Sequence, residues 1–197
     1  MGLLDRLLGR TPGPHTPPAA AAVRDRTKAA RAKRRAQKPS LVTLYLKAGR
    51  EWDKPDDPEE EDDIWGRGYQ IHDEGGLGYR WDDLGQHGAT ISKVVGYRHH
   101  GEALQDERFA PGHDVALARE PENPYDSNAV AVWSADGSLQ LGYLPRETAS
   151  ALTPELTSGE EYRAFCLWEW VDKAHDDRRR GIRLLIAPTA TVTLVER

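Results

Sequence analysis

Residues 128–144 read NAVAVWSADGSLQLGYL. Apolar and small residues alternate from Asn128 to Trp133, Ser134–Gly137 (SADG) interrupts, and alternation resumes over Leu139–Leu144. A period of two on both sides of a short break containing Asp and Gly is the signature of a β-hairpin. Upstream, Asp114–Arg119 (DVALAR) alternates in the same way, and Thr90–Tyr97 (TISKVVGY) is rich in β-branched residues. Both read as strands.

Downstream, Pro145 suits the first position of a helix and Glu147 its first turn, which predicts a helix over residues 145–152. Glu161–Val171 (EYRAFCLWEWV) predicts the longest strand. Strict alternation places Tyr162, Ala164, Cys166, Trp168 and Trp170 on one face. Arg163, Phe165, Leu167, Glu169 and Val171 fall on the other. Residues 172–181 (DKAHDDRRRG) read as a charged connection, after which Ile182–Ile186 and Thr189–Val195 return as strands. The whole predicts a mainly β fold: an OB-like antiparallel β-barrel of about six strands with one or two short helices, a small sandwich being the alternative.

Residues 1–89 read differently. The chain has 197 residues, 38% hydrophobic and 30% charged, with a net charge of -5. Residues 1–50 carry 12 Lys/Arg against 2 Asp/Glu, residues 51–87 carry 3 against 13, and residues 88–197 carry 12 against 17. Residues 1–40 are expected to be a disordered basic arm, with two turns of amphipathic helix at MGLLDRLL and a Pro-rich stretch at 9–22. The stretch 23–38 (VRDRTKAARAKRRAQK) offers either a solvated tail or a phosphate contact without sequence preference. Residues 41–89 are an acidic extension containing glycine and aromatic residues. Its run 51–63 (EWDKPDDPEEEDD) reads as an extended linker, or as a segment that folds back on the basic arm. In residues 64–88, glycines separate Trp65, Tyr69, Tyr79 and Trp81, which suggests loops and one short packed strand. The barrel domain then occupies residues 90–195.

Composition excludes several classes. A mean hydropathy of -0.71 and the lack of any long apolar run argue against a membrane helix. One cysteine, Cys166, leaves no disulfide framework and no multi-cysteine metal site. There is no P-loop and no GxGxxG, no spacing of metal ligands, and no cofactor motif. The chain reads as a cytoplasmic binding protein without catalysis of its own; a helicase or nuclease partner would process the ligand.

One stretch is far more specific than the rest. Leu117–Val132 reads LAREPENPYDSNAVAV, preceded by Val94–His100 (VVGYRHH) and followed by Leu141–Glu147 (LGYLPRE). In order and spacing these resemble the HIRAN domain, the module at the N-terminus of SWI/SNF-type fork-remodelling helicases that also occurs alone in short bacterial proteins. The resemblance spans about residues 90–195. It implies an OB-like barrel that captures the 3′-hydroxyl end of single-stranded DNA, in repair or fork processing. It implies that Asp126 accepts a hydrogen bond from the terminal hydroxyl, that Tyr125 stacks on the last nucleotide, and that Asn123 shapes the pocket. Arg98 and Arg146 would meet phosphates. His99, His100 and Tyr143 depart from the family pattern, which has two tyrosines and a histidine at those places.

The residues alone also allow plainer readings. Asn123–Pro124 and Asp126–Asn128 are ordinary turn chemistry. Arg119 and Glu120 read as a structural pair, Gly96 and Gly142 as bulge or close-approach glycines, Cys166 as a small buried hydrophobe. The competing functional class is a protein-interaction barrel that keeps the scaffold without binding nucleic acid.

Overall fold

A computed structural model describes residues 41–53, 64–78 and 81–196. The basic arm, with its amphipathic start and its 23–38 stretch, lies outside the described residues, as do residues 54–63 of the acidic run and Tyr79. Among the described residues no helix is long and apolar enough to cross a membrane. Residues Ser40–Arg197 make one compact unit.

In chain order the elements are β1 (Val42–Asp53), β2 (Ile64–His72), a helical turn α1 (Trp81–Leu84), β3 (Thr90–Lys93), β4 (Asp114–Arg119), β5 (Val130–Ser134), β6 (Gln140–Tyr143), α2 (Arg146–Thr157), β7 (Tyr162–Asp172), β8 (Arg178–Pro188) and β9 (Val192–Glu196). The fold is mainly β. The 128–144 hairpin forms as its pattern dictates: the Gly137 amide donates to the Ser134 carbonyl at 2.8 Å, and Asp136 caps the turn through Ser134 and Ser138. Those bonds, Ser134's first, hold the Asp136 carboxyl down to about 2.

The long strand β7 organises the sheet. The first half of one edge pairs with β4 and the second half with β2, while the other edge pairs with β8. The chain of paired strands runs β6-β5-β4-β7-β2-β1-β9, with β8 joining β7 to β3. Two mutual 2.9 Å hydrogen bonds between Val95 and Tyr143 bring the end of β3 back beside β6. Six strands thus curl around one core, containing Phe109, Val130, Val132, Leu141, Cys166 and Leu184. The ladder is not closed, because a single bridge forms the seam. Gly142 makes that bridge possible: a Cβ there would lie 2.4 Å from the Val95 carbonyl oxygen.

Several expectations are corrected. The six strands β3–β8 pair antiparallel as expected, but the sheet runs on to nine strands, with β1 paired to β9 in parallel. Residues 42–53 form a strand, and the first three residues of the acidic run belong to it. Leu44 and Leu46 alternate into a second core with Ile71, Phe165, Leu185 and Val192, and this burial outweighs the local charge. α2 extends to Thr157 with Pro154 inside it, and Pro145 is its N-cap. The segment 172–181 is not a connection: only Lys173–His175 form a short 3-10 turn, and β8 starts at Arg178.

The face assignment of β7 also changes. A bulge between Cys166 and Trp168 inserts Leu167, so the alternation inverts there. Cys166 stays in the first core, whereas Trp168 joins Phe165 in the second. Glu169 consequently turns inward and is 1% exposed. It pairs with Arg179, itself 6% exposed, and with Arg67. Arg179 also donates to the carbonyls of Leu104 and Asp106 at 2.6 and 3.0 Å. Beside it Arg180 pairs with buried Asp172. This bond, with that of His175, holds the Asp172 carboxyl below its ordinary value.

Candidate nucleic-acid interface

The loop from Glu120 to Asn128 joins β4 to β5, and its own side chains set its shape. Asn123 Oδ1 accepts the amides of Tyr125 and Asp126 at 3.0 and 3.3 Å, while its Nδ2 donates to Glu120 Oε2 at 2.8 Å. Asp126 Oδ1 accepts the Asn128 amide at 2.9 Å. The Ala129 amide bonds to the Asp126 carbonyl, and the Glu120 amide to the Ala129 carbonyl. With the backbone satisfied locally, the loop projects its one aromatic ring outward: Tyr125 is 88% exposed.

The remaining acid and base groups meet around this loop. Asp126 Oδ2 lies 3.3 Å from Arg146 Nε, at the first turn of α2. The Asp126 side chain retains 21% exposure and that of Arg146 75%, so both can still be reached from solvent. Tyr143 Oη donates to Glu120 Oε2 at 3.2 Å, and the His100 ring stands 6.1 Å from the Tyr143 ring. Thr153 on α2 donates to the Asn128 carbonyl, tying the far end of the loop to the helix.

His100, Tyr143, Asn123, Tyr125, Asp126 and Arg146 are thereby brought together. Arg98 and His99 are exposed on the 3-10 turn Tyr97–His99, which Gly96 enters with a left-handed φ of 75°. Among the described residues no side-chain hydrogen bond or ion pair ties either to the loop. Among those residues, too, no group of three His, Cys, Asp or Glu side chains is arranged to hold a metal ion.

The residue that sequence reasoning missed is Glu120, which links Asn123 to Tyr143. Its expected pairing with Arg119 does not occur; Arg119 instead donates to Thr157 at 2.7 Å. The signal was present in the period of the strand. Neighbouring residues on a strand point to opposite faces, so Arg119 and Glu120 are badly placed to pair.

Comparison with known proteins falls on this part of the chain. The model of the HIRAN domain matches residues 87–176, from just before β3 through β7. The helicase-like transcription factor of Oryctolagus cuniculus is 42% identical over 65 residues, and that of Mus musculus 39% over 70. These matches span 33% and 36% of this chain but only 6% of each relative. Among solved structures, a protein from Lactobacillus plantarum is similar at 24% identity and a TM-score of 0.40, over 49% of this chain and 87% of that one. The HIRAN domain of human HLTF is similar at 24% identity and a TM-score of 0.38, over 53% and 79%.

Proposed function

From a HIRAN domain at residues 87–176, we propose that the protein binds single-stranded nucleic acid through the Glu120–Asn128 loop and captures the 3′-hydroxyl end of a DNA strand. The observation that carries this reading is the exposed Tyr125 ring beside an Asp126 carboxylate that still faces solvent. Tyr125 stacks on the terminal nucleotide, a sequence-tolerant contact worth about 1–3 kcal/mol. Asp126 accepts a hydrogen bond from the terminal 3′-hydroxyl, since an ionised carboxylate only accepts. A phosphate at that place would set two negative groups against each other, which favours ends over internal strand.

Asn123 holds the loop in shape, and Arg146 orients Asp126 while offering its outer face to the nearest phosphate. Arg98 supplies a second backbone contact. His99, His100 and Tyr143 wall the approach. The protein acts as a binding module, and any processing of the strand falls to a helicase or nuclease partner.

A binding titration tests the reading. Single-stranded DNA with a free 3′-hydroxyl should bind more tightly than the same strand ending in a 3′-phosphate. Asp126→Asn should narrow the difference, because an amide still bonds the hydroxyl but repels phosphate less. Equal affinity for both ends would remove end capture. Absence of binding at low salt would favour a protein ligand, a reading to which the two acids Glu120 and Asp126 lend weight.

A further inference from the structure

Most arginines of the described region have a carboxylate partner. Arg67, Arg108, Arg146, Arg163 and the three arginines 178–180 each reach one within ion-pair distance. Arg98, which is exposed, and Arg119, which bonds Thr157 at 2.7 Å, reach none among the described residues, and neither does Arg183. It sits half-buried in the middle of β8, and the one hydrogen bond its guanidinium makes, to the Ile182 carbonyl, is 3.5 Å long. Burial pushes it below its ordinary value with no acid to offset the loss.

The residue directly opposite makes this stranger. Across the β3–β8 ladder Arg183 faces Lys93, which is exposed. Like charges directly opposite each other destabilise a sheet. Elsewhere the same sheet resolves its charges by pairing, as at Arg163 with Asp114 and at Arg180 with Asp172. Two cations set side by side, one of them half-desolvated, form a site that lacks an anion.

The register says where this pair lies. Val94 points into the first core, so Lys93 and Val95 share the opposite face by alternation, the face on which Ile91 packs against the second core and Lys93 reaches solvent. Val95 is bridged to Tyr143, the residue that bonds Glu120 of the loop. Two residues along a strand span about 7 Å and a directly opposed pair about 5 Å at right angles to it, so Lys93 stands roughly 9 Å from Tyr143 across the same surface. That is within reach of a few nucleotides.

We infer that Lys93 and Arg183 form a second phosphate subsite, which holds the backbone of the strand whose 3′ end occupies the Glu120–Asn128 loop. The inference rests on the nucleic-acid reading above and deepens it. The loop reads the end, and the β3–β8 ladder holds the strand upstream of it. Arg183 supplies a planar fork suited to phosphate, and Lys93 a point charge beside it.

The test is a length series. Wild type and a Lys93→Gln/Arg183→Met double variant are titrated by anisotropy with 3′-hydroxyl strands of about 2 nucleotides, too short to span from the loop to the ladder, and about 16 nucleotides, the upper limit of OB-type site sizes. The double variant should bind the long strand roughly tenfold more weakly, with a salt slope flatter by about 1.4, since each phosphate contact on a single strand contributes about 0.7. Binding of the short strand should be unchanged. Lys93→Gln alone, at an exposed position, should give about half the change in slope.

The double variant should melt at or above the wild-type temperature, because it removes an uncompensated pair of like charges. An equal loss at both lengths, no loss at either, or a fall in melting temperature with unchanged binding would overturn the subsite. Loss of end preference in the wild type with the length effect intact would sink end capture and leave the subsite standing. No binding of either length by the wild type would end both.

Discussion

The Glu169 and Glu120 networks are each centred on one carboxylate and differ in where their bonds end. Around Glu169 every charge meets another. Arg67 and Arg179 meet the carboxylate, and Arg179 spends its remaining donors on two carbonyls. Glu169 and Arg179 are buried, and Arg67 alone keeps a side towards solvent. Around Glu120 the bonds fix a shape and then stop, leaving Tyr125 in solvent and Asp126 and Arg146 within its reach. A network closed on itself contributes conformation. One left open on one side presents chemistry, and in the sequence the two look alike: EPENPYD and DKAHDDRRRG are both charged runs between strands.

The contrast predicts that stability and binding separate. Glu169→Ala strands a buried guanidinium, so unfolding free energy should fall by about 3–5 kcal/mol in a denaturant titration. Any end preference should survive in the fraction that remains folded. Loss of end preference without loss of stability would invert the comparison. Tyr125→Ala should do the reverse, weakening strand binding by about 1–3 kcal/mol with an unchanged melting temperature.

Acid sharpens the comparison further. Asp172 is held below its ordinary 3.8 by Arg180 and His175, so it binds its proton less readily folded than unfolded. Its contribution is therefore present above about pH 4 and lost as pH falls through the depressed folded value. Wild type should lose stability over that interval, and Asp172→Asn should show a shallower acid dependence when unfolding is followed across pH. The smallest effect is expected at Arg146→Ala. Its pair with Asp126 is largely exposed, so thermal stability should change by less than about 1 kcal/mol. A larger drop would place the loop among the structural networks.

What the sequence disclosed follows from the distance over which each signal acts. The β5–β6 hairpin, β4 and most of β7 are local patterns, and they form nearly as read. The turn chemistry of Asn123 and Asp126 was also legible, because each bond spans only two or three residues. β1 escaped notice because an acidic run separates it from β2, its other partner β9 is far away, and a bulge between Ala48 and Arg50 breaks its period. The arginines 178–180 read as part of a charged connection because the acids that receive the first two of them, Glu102 and Glu169, lie outside that run. The inserted Leu167 left no trace in composition, yet it decides which way Trp168 and Glu169 face. The meeting of His100, Tyr143 and Glu120 depends on the Val95–Tyr143 bridge, which no local pattern announces.

The pairing of β2 with β7 also sets a timetable for the newly made chain. Gly68 meets Trp168 on that ladder, so the pairing waits for residues made long after β2. A ribosome adding about 5–20 residues per second needs roughly 5–20 s to make the intervening stretch. Throughout that interval the β1–β2 hairpin has emerged with Leu44, Leu46 and Ile71 still waiting for Phe165 and Leu185 to cover them. A nascent protein of this design has an early, sticky edge whose burial is scheduled by synthesis of its C-terminal strands, so slowing translation between β2 and β7 should lengthen its dependence on a chaperone.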